Sequence, residues 1–184
     1  MGKNASAVVL SVSKDSEHRF TKPRCDAITV LEGLGVEGDA HLGRTVQHRS
    51  RVVADPTQPN LRQVHLIQSE LFDEVAHEGY TVHPGEMGEN ITTAGIDLLG
   101  LPRGTVLRLG AKAEIEITGL RNPCSQINGF QQGLMKAVIG YNDLGELVRK
   151  AGIMGVVVHS GVIKPGDEVV VHLPTQPHIA LEQV

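Results

Sequence analysis

The sequence predicts a mainly β protein, built as a barrel or sandwich with a few helical insertions. Short runs rich in Val and Ile recur along the chain, and turns rich in Gly and Pro separate them. The clearest run, 114–118, alternates apolar and polar residues, which is typical of a half-buried strand. The helical patterns are few and do not alternate with the strands, so a parallel sheet of βαβ units fits poorly.

The individual elements follow from these patterns. Strands are predicted over 5–13, 26–31, 64–67, 90–93, 105–109, 114–118, 154–159 and 168–172. Helices are predicted over 70–77, 132–139 and 144–150. Ser69 suits the N-cap of the first helix, Leu71, Phe72 and Val75 share one face, and Gly79 ends it. The stretch 33–51 has no apolar period and is predicted to be a long loop.

Composition predicts one soluble, cytoplasmic domain over 1–184, with its core at about 8–173 and a polar, frayed tail at 174–184. The net charge of -4, the absence of a basic run and the 3% aromatic content disfavour nucleic acid as a partner. No apolar run is long enough for a signal peptide or a bilayer span, so no membrane partner is expected.

Cys124 stands in a short motif that favours a reactive thiol. Asn122 suits an N-cap and Pro123 the first helical position, so Cys124 is predicted to lie in the first turn of a helix. The helix dipole, free amides and Arg121 would then favour a thiolate, the form that acts as a nucleophile and a metal ligand. Cys25 begins a strand without such surroundings and is expected to pack as a small apolar residue.

The glycine-rich stretch 33–38 matches G-x-G-x-x-G after a strand, but no helix follows it, so a dinucleotide fold is disfavoured. Its backbone amides, together with His41, Arg44 and Arg49, suit an anionic ligand such as a phosphate. A solvated surface loop remains the alternative. The scattered histidines lack cysteines or carboxylates at ligand spacing, which disfavours a histidine metal site.

Six ordered blocks resemble the MOSC family, the domain named for the C-terminus of molybdenum-cofactor sulfurases. The blocks are GLGVEGDAH (33–41), RQVHLIQS (62–69), PGEMGENIT (84–92), GIDLLGLPRGTVLRLG (95–110), RNPCSQ (121–126) and GVVVHSGVIKPGD (155–167). The resemblance covers about 8–171 and is nearest to the small, stand-alone bacterial members. It implies a single β-barrel like the domain inserted in pyruvate kinase. The stretch 45–60 is an insertion relative to the compact form of the family.

The resemblance implies that Cys124 is the catalytic residue. It would carry a persulfide as a sulfurtransferase, or ligate molybdenum in a pterin cofactor that serves to reduce N-hydroxylated compounds. The family's R-x-P-C element falls on Arg121 and Cys124, its G-D-x-H element on 38–41 and its G-E-N element on 88–90. Asn90 and Thr92 follow a Pro-Gly turn and could add neutral hydrogen bonds to the ligand. The expected cofactor-binding residues are Asp39, His41, Arg44, Asn90, Thr92, Arg121 and Asn122, and Cys124 is the expected molybdenum ligand.

The resemblance also implies partners. Pyridoxal phosphate would belong to a partner cysteine desulfurase, since the chain has no domain for it, and a molybdoenzyme is a second possible partner. Two alternatives stay open at this point: a non-catalytic module that holds the cofactor or a sulfur donor, and a general anion-binding barrel with a structural Cys124.

Overall fold

The computed structural model describes residues 6–142 and 144–184, so Ala5, where the first strand was predicted to begin, lies outside the described residues. The strands are β1 (Val8–Ser13), β2 (Arg24–Cys25), β3 (Ile28–Leu31), β4 (Gly35–Val36), β5 (Val64–Gln68), β6 (Ile91–Ala94), β7 (Val106–Leu109), β8 (Ala113–Leu120), β9 (Ile139–Tyr141), β10 (Leu147–Arg149), β11 (Ile153–His159), β12 (Gly161–Ile163) and β13 (Val169–His172). The helices are α1 (Arg49–Ala54), α2 (Glu70–His77), α3 (Gln126–Phe130) and α4 (Leu134–Ala137). The prediction of a mainly β protein with few short helices is confirmed.

Most strands belong to one large mixed sheet in the order β13-β7-β8-β11-β5-β6-β1-β2. Its pairs are antiparallel except β5 and β6, which are parallel and connected through α2. Smaller sheets contain β12-β3-β4 and β10-β9. Backbone bonds from Val9 N–H to Asp167 O and from Val169 N–H to Ala7 O, both 2.8 Å, bring β13 near β1. The strand pairings do not define a closed ring, so the predicted single barrel remains a prediction.

The main core lies on the inner face of this sheet, because its strands place apolar side chains at every second position. The pattern is clearest in β8, where buried and half-buried residues alternate along all eight positions. A second apolar cluster joins the helices to the sheet through Leu71, Val75, Ile127 and Leu134. The Cys124 segment, 121–125, lies between β8 and α3 and so connects the two cores.

Four local predictions were wrong. The segment 144–150, predicted as a helix, contains β10, which pairs with β9 as a hairpin. The predicted helix over 132–139 contracts to α4, and the predicted loop over 33–51 contains β4 and the start of α1. The tail is not frayed, because Leu120 N–H donates to Glu182 O at 2.7 Å and Val184 N–H donates to Leu120 O at 3.3 Å. None of the helices in the described ranges combines the length and apolar character needed to cross a membrane.

Candidate functional site

A cleft of about 590 Å³ brings Cys124 together with cationic side chains from distant parts of the chain. Six Lys and Arg residues and four histidines line it: Arg19, Lys22, Arg49, Arg51, Arg62 and Arg121, with His18, His41, His48 and His65. Among the described lining residues there is no Asp or Glu. Arg19 is paired with Asp15 and Lys22 with Asp39, so the positive charge of the lining comes mainly from its other arginines, in a chain whose net charge is -4. Such a lining attracts anions.

Cys124 does not lie in the first turn of a helix, so that prediction was wrong. Helix α3 begins at Gln126 with Ser125 as its N-cap, and Cys124 precedes both. The Arg121 N–H donates to Gly152 O at 3.0 Å, which prolongs the strand pairing beyond β8. Pro123 also disfavours the helical conformation at Asn122. The dipole of the short α3 is therefore not the basis for activating Cys124.

The half-buried sulfur of Cys124 has two notable neighbours. Its Sγ lies 3.5 Å from Gln126 Oε1. The second is Arg121, whose pKa is lowered by burial while the charges of Cys124 and Glu89 act in the opposite direction. The Arg121 guanidinium lies 5.7 Å from the ring centre of Phe20. Its Nη1 is fully buried and has no hydrogen-bond partner among the described residues. Arg121 thus supplies a positive charge beside the thiol.

A buried carboxylate, Asp39, organises a second part of the site. Its Oδ2 accepts hydrogen bonds from Lys22 Nζ at 2.6 Å and from Asn90 Nδ2 at 2.9 Å. Burial alone would raise the pKa of Asp39, but the hydrogen bonds of His41 and the charge of Lys22 hold it well below its ordinary value. Asp39 does not line the cleft itself. It is a charged anchor beneath the lining.

His41 is the lining residue that Asp39 positions. Asp39 Oδ1 accepts from the backbone N–H of His41 at 2.9 Å and lies 3.0 Å from its ring Nδ1. A ring whose Nδ1 donates to a carboxylate keeps Nε2 for other contacts. His41 therefore presents a ring of fixed orientation to the cleft, as a group that can exchange protons there.

Asn90 and Thr92 act within the protein. Asn90 lines the cleft, but its Nδ2 donates to Ser13 O at 3.2 Å and to Asp39. Thr92 does not line the cleft, and its hydroxyl donates to Glu89 Oε1 at 3.0 Å. Burial raises the pKa of Glu89, which also accepts from the Met87 N–H at 3.2 Å. These contacts stabilise the 85–92 turn and the Asp39 anchor.

Comparison with known proteins identifies the family. The family model described as the MOSC domain matches residues 38–170. The chain belongs to the MOSC domain family. No match was found among curated proteins compared by sequence.

Several solved structures have a similar fold. The MOSC domain described here is similar to YuaD from Bacillus subtilis, with a TM-score of 0.75, 22% identity, and coverage of 92% of this chain and 97% of that one. It is also similar to YiiM from Geobacillus stearothermophilus, with a TM-score of 0.67, 19% identity, and coverage of 95% and 79%. The chain is also similar to YiiM from Escherichia coli, with a TM-score of 0.61, 17% identity, and coverage of 93% of this chain and 72% of that one. At these identities the likeness concerns the fold.

The MOSC domain gathers some of the sequence-predicted site residues and leaves others outside. Cys124, Arg121, Asn122, His41 and Asn90 line one cleft, whereas Arg44 is exposed and does not line it. Sequence reasoning missed several lining residues: His18, Arg19, Lys22, Arg51, Arg62 and His65. Arg62 and His65 stand in one of the family blocks, so that block was an available signal. Lys22 lies between β1 and β2, and its sequence neighbours carry no sign of a site.

Proposed function

We propose that this MOSC domain binds an anionic, pterin-type molybdenum cofactor in the cleft and uses Cys124 to carry sulfur or to ligate the metal. One observation carries the proposal: the half-buried thiol of Cys124 opens into a cleft that Arg121 and other cations line without a carboxylate among the described lining residues. A phosphate-bearing ligand and a sulfur-binding metal centre both match this set of side chains.

The residues present fit such a cofactor. Thiolate sulfur is a soft ligand for a transition metal, and Cys124 is the cysteine of the cleft. The Nη1 of Arg121 is a buried donor that has no hydrogen-bond partner among the described residues. A volume of about 590 Å³ lies within the range of ordinary ligand sites. When bound, the cofactor would supply a redox-active molybdenum centre, the chemistry needed to reduce N-hydroxylated compounds.

The sulfur-carrier reaction needs only this chain and a persulfide donor, such as a partner cysteine desulfurase. The Cys124 thiolate attacks the outer sulfur of the donor persulfide. A new S–S bond forms on Cys124, the S–S bond of the donor breaks, and the donor leaves as a thiolate, without net oxidation or reduction. Arg121 stabilises negative charge at the reacting sulfur, and His41, which Asp39 orients, is the group placed to exchange a proton in the cleft.

The test compares two cysteine variants made in a host that synthesises the molybdenum cofactor. Wild-type protein and Cys25→Ser are expected to retain molybdenum, or to gain the mass of one sulfur atom after incubation with a persulfide donor. Cys124→Ser is expected to do neither while remaining folded, since the substitution changes little volume. Equal molybdenum content and equal sulfur uptake in wild type and Cys124→Ser would exclude the proposal.

A non-catalytic carrier module is the second candidate, because the same cleft could hold a cofactor or a sulfur donor for a partner such as a molybdoenzyme. Activity of the isolated, loaded domain with an N-hydroxylated substrate separates the two. Turnover by the isolated domain indicates an enzyme. Cofactor retention without turnover, with activity restored by a partner, indicates a carrier.

A further inference from the structure

One wall of the cleft contains side chains from the 45–62 stretch. His48 precedes α1, Arg51 lies within it, and Arg62 precedes β5, and all three line the cleft. The carbonyl of His48 accepts the N–H groups of Arg51 at 2.9 Å and Val52 at 3.0 Å, so His48 and Arg51 share one helical turn. Arg51 also borders a smaller cavity of about 280 Å³ beside the tail. The wall is therefore built largely on the stretch that the family resemblance gives as an insertion.

The tail holds Arg62 in place through a hydrogen bond. Arg62 Nη2 donates to the backbone oxygen of Val184, while its buried Nε has no partner among the described residues. Burial, together with the charges of Arg51 and Arg121, lowers the pKa of Arg62 to about 10. Arg62 is still positively charged near neutral pH, so like charges are held together in a partly buried place. An anion is the group that would relieve this repulsion.

We infer that His48, Arg51 and Arg62 form a subsite for the oxyanion group of a small-molecule ligand, distinct from Cys124. Guanidinium donors match the geometry of phosphate and similar oxyanions, and they exclude metal cations. The inference rests on the proposed function only for the choice of cleft. The oxyanion can belong to the cofactor itself, as its phosphate, or to a separate anionic substrate.

The test measures binding of inorganic phosphate by calorimetry, using the full chain prepared without cofactor, with chloride keeping the ionic strength constant. Arg51→Gln and Arg62→Gln are each expected to weaken binding about tenfold, since each removes a charge-assisted hydrogen bond. The matched control is Arg24→Gln, because Arg24 is exposed on β2 and lies outside the cleft lining. It should change the affinity by less than about twofold.

Arg51→Gln makes the inference falsifiable, because α1 contains no buried residue and the variant should fold normally. If Arg51→Gln binds phosphate as tightly as Arg24→Gln does, or if the wild type binds none, the subsite does not exist. Cys124→Ser should still bind phosphate, because the subsite does not include the thiol. A failure of the proposed role of Cys124 can therefore be distinguished from a failure of the subsite. Loss of phosphate binding in molybdenum-loaded protein assigns the oxyanion to the cofactor, and retention assigns it to a separate substrate.

Discussion

Neutralising Asp39 should destabilise the protein far more than neutralising a more exposed acid in an ion pair of similar length. In Asp39→Asn, Lys22 loses the carboxylate that lies 2.6 Å from its Nζ, while both side chains are almost fully buried, with 5% and 1% exposed. Breaking a buried pair by removing one partner typically costs about 3–5 kcal/mol. Lys22 can avoid the unpaired charge only by losing its proton. Removing the proton of a lysine with the ordinary pKa of 10.5 costs about 5 kcal/mol at pH 7. The electrostatic part of the destabilisation by Asp39→Asn therefore cannot exceed this amount.

The control is the pair Lys150–Glu74, with an Nζ–O distance of 2.7 Å and side chains 34% and 49% exposed. Glu74→Gln should cost at most about 1 kcal/mol, because solvent screens exposed pairs. Urea unfolding monitored by circular dichroism gives both free energies, with the m-value checking that the denatured state is comparable. A second variant, Lys22→Met with Asp39→Asn, should recover part of the loss because it removes the unpaired charge.

The pH dependence of the unfolding free energy is an independent test of the role of Asp39. The pKa of Asp39 in the folded protein lies well below its ordinary 3.8, so its contribution is fully present above that pH and is lost as the pH falls toward the folded pKa. Asp39→Asn should therefore flatten the decline in unfolding free energy below about pH 4. A loss for Asp39→Asn no larger than that for Glu74→Gln, with an unchanged acid limb, would refute the role of the buried anchor.

The other predictions concern a buried histidine, two glycines and the subsite. Burial holds the pKa of His65 well below 6.5, so the protein should lose stability as pH falls from 6.5 toward the folded pKa, and His65→Gln should remove that part of the unfolding curve. Gly85→Ala and Gly79→Ala both place a side chain at positive φ, but of the two only the new Cβ at Gly85 would meet backbone atoms. Chemical denaturation should therefore show a loss of unfolding free energy of about 1–2 kcal/mol for Gly79→Ala and a larger loss for Gly85→Ala. Arg51→Gln should leave the unfolding free energy of the apo-protein unchanged or raise it by about 0.5 kcal/mol, because it relieves repulsion with Arg62; a loss of more than about 1 kcal/mol would show that Arg51 is structural.

The strands could be predicted from the sequence because alternation is a local signal, and β8 shows it over its full length. The segment 144–150 was predicted wrongly, because its short apolar spacing fits a helix as well as a strand, and pairing with β9 decides between them. The tail is polar, so sequence reasoning left it unpaired. Its order comes from backbone bonds to Leu120, which leave no compositional signal.

The candidate site was predicted only in part, because some of its residues stand in recognisable sequence blocks and others depend on contacts with distant parts of the chain. Ordered family blocks place Cys124, Arg121 and His41, and the structure brings these three to one cleft. The local argument failed at Cys124, because Asn122 and Pro123 read as a helix start while the backbone of Arg121 still pairs with Gly152. Lys22 gave no signal, because its role depends on a carboxylate seventeen positions away in the chain.

Buried charge at this site is of two kinds, and they differ in what they require from a ligand. The Lys22–Asp39 pair is satisfied within the protein, and its function is to hold His41 at the cleft. One buried nitrogen in each of Arg62 and Arg121, Nε and Nη1 respectively, has no hydrogen-bond partner among the described residues, so the desolvation of these two donors destabilises the folded protein. A ligand that neutralises them must stabilise the folded state by mass action, since the unfolded chain does not gather these charges. Phosphate should consequently raise the unfolding midpoint of the wild type but much less that of Arg51→Gln, while Asp39→Asn, although less stable, should keep the phosphate-dependent increase. If phosphate stabilises Arg51→Gln as much as the wild type, the stabilisation comes from general salt effects and not from the cleft.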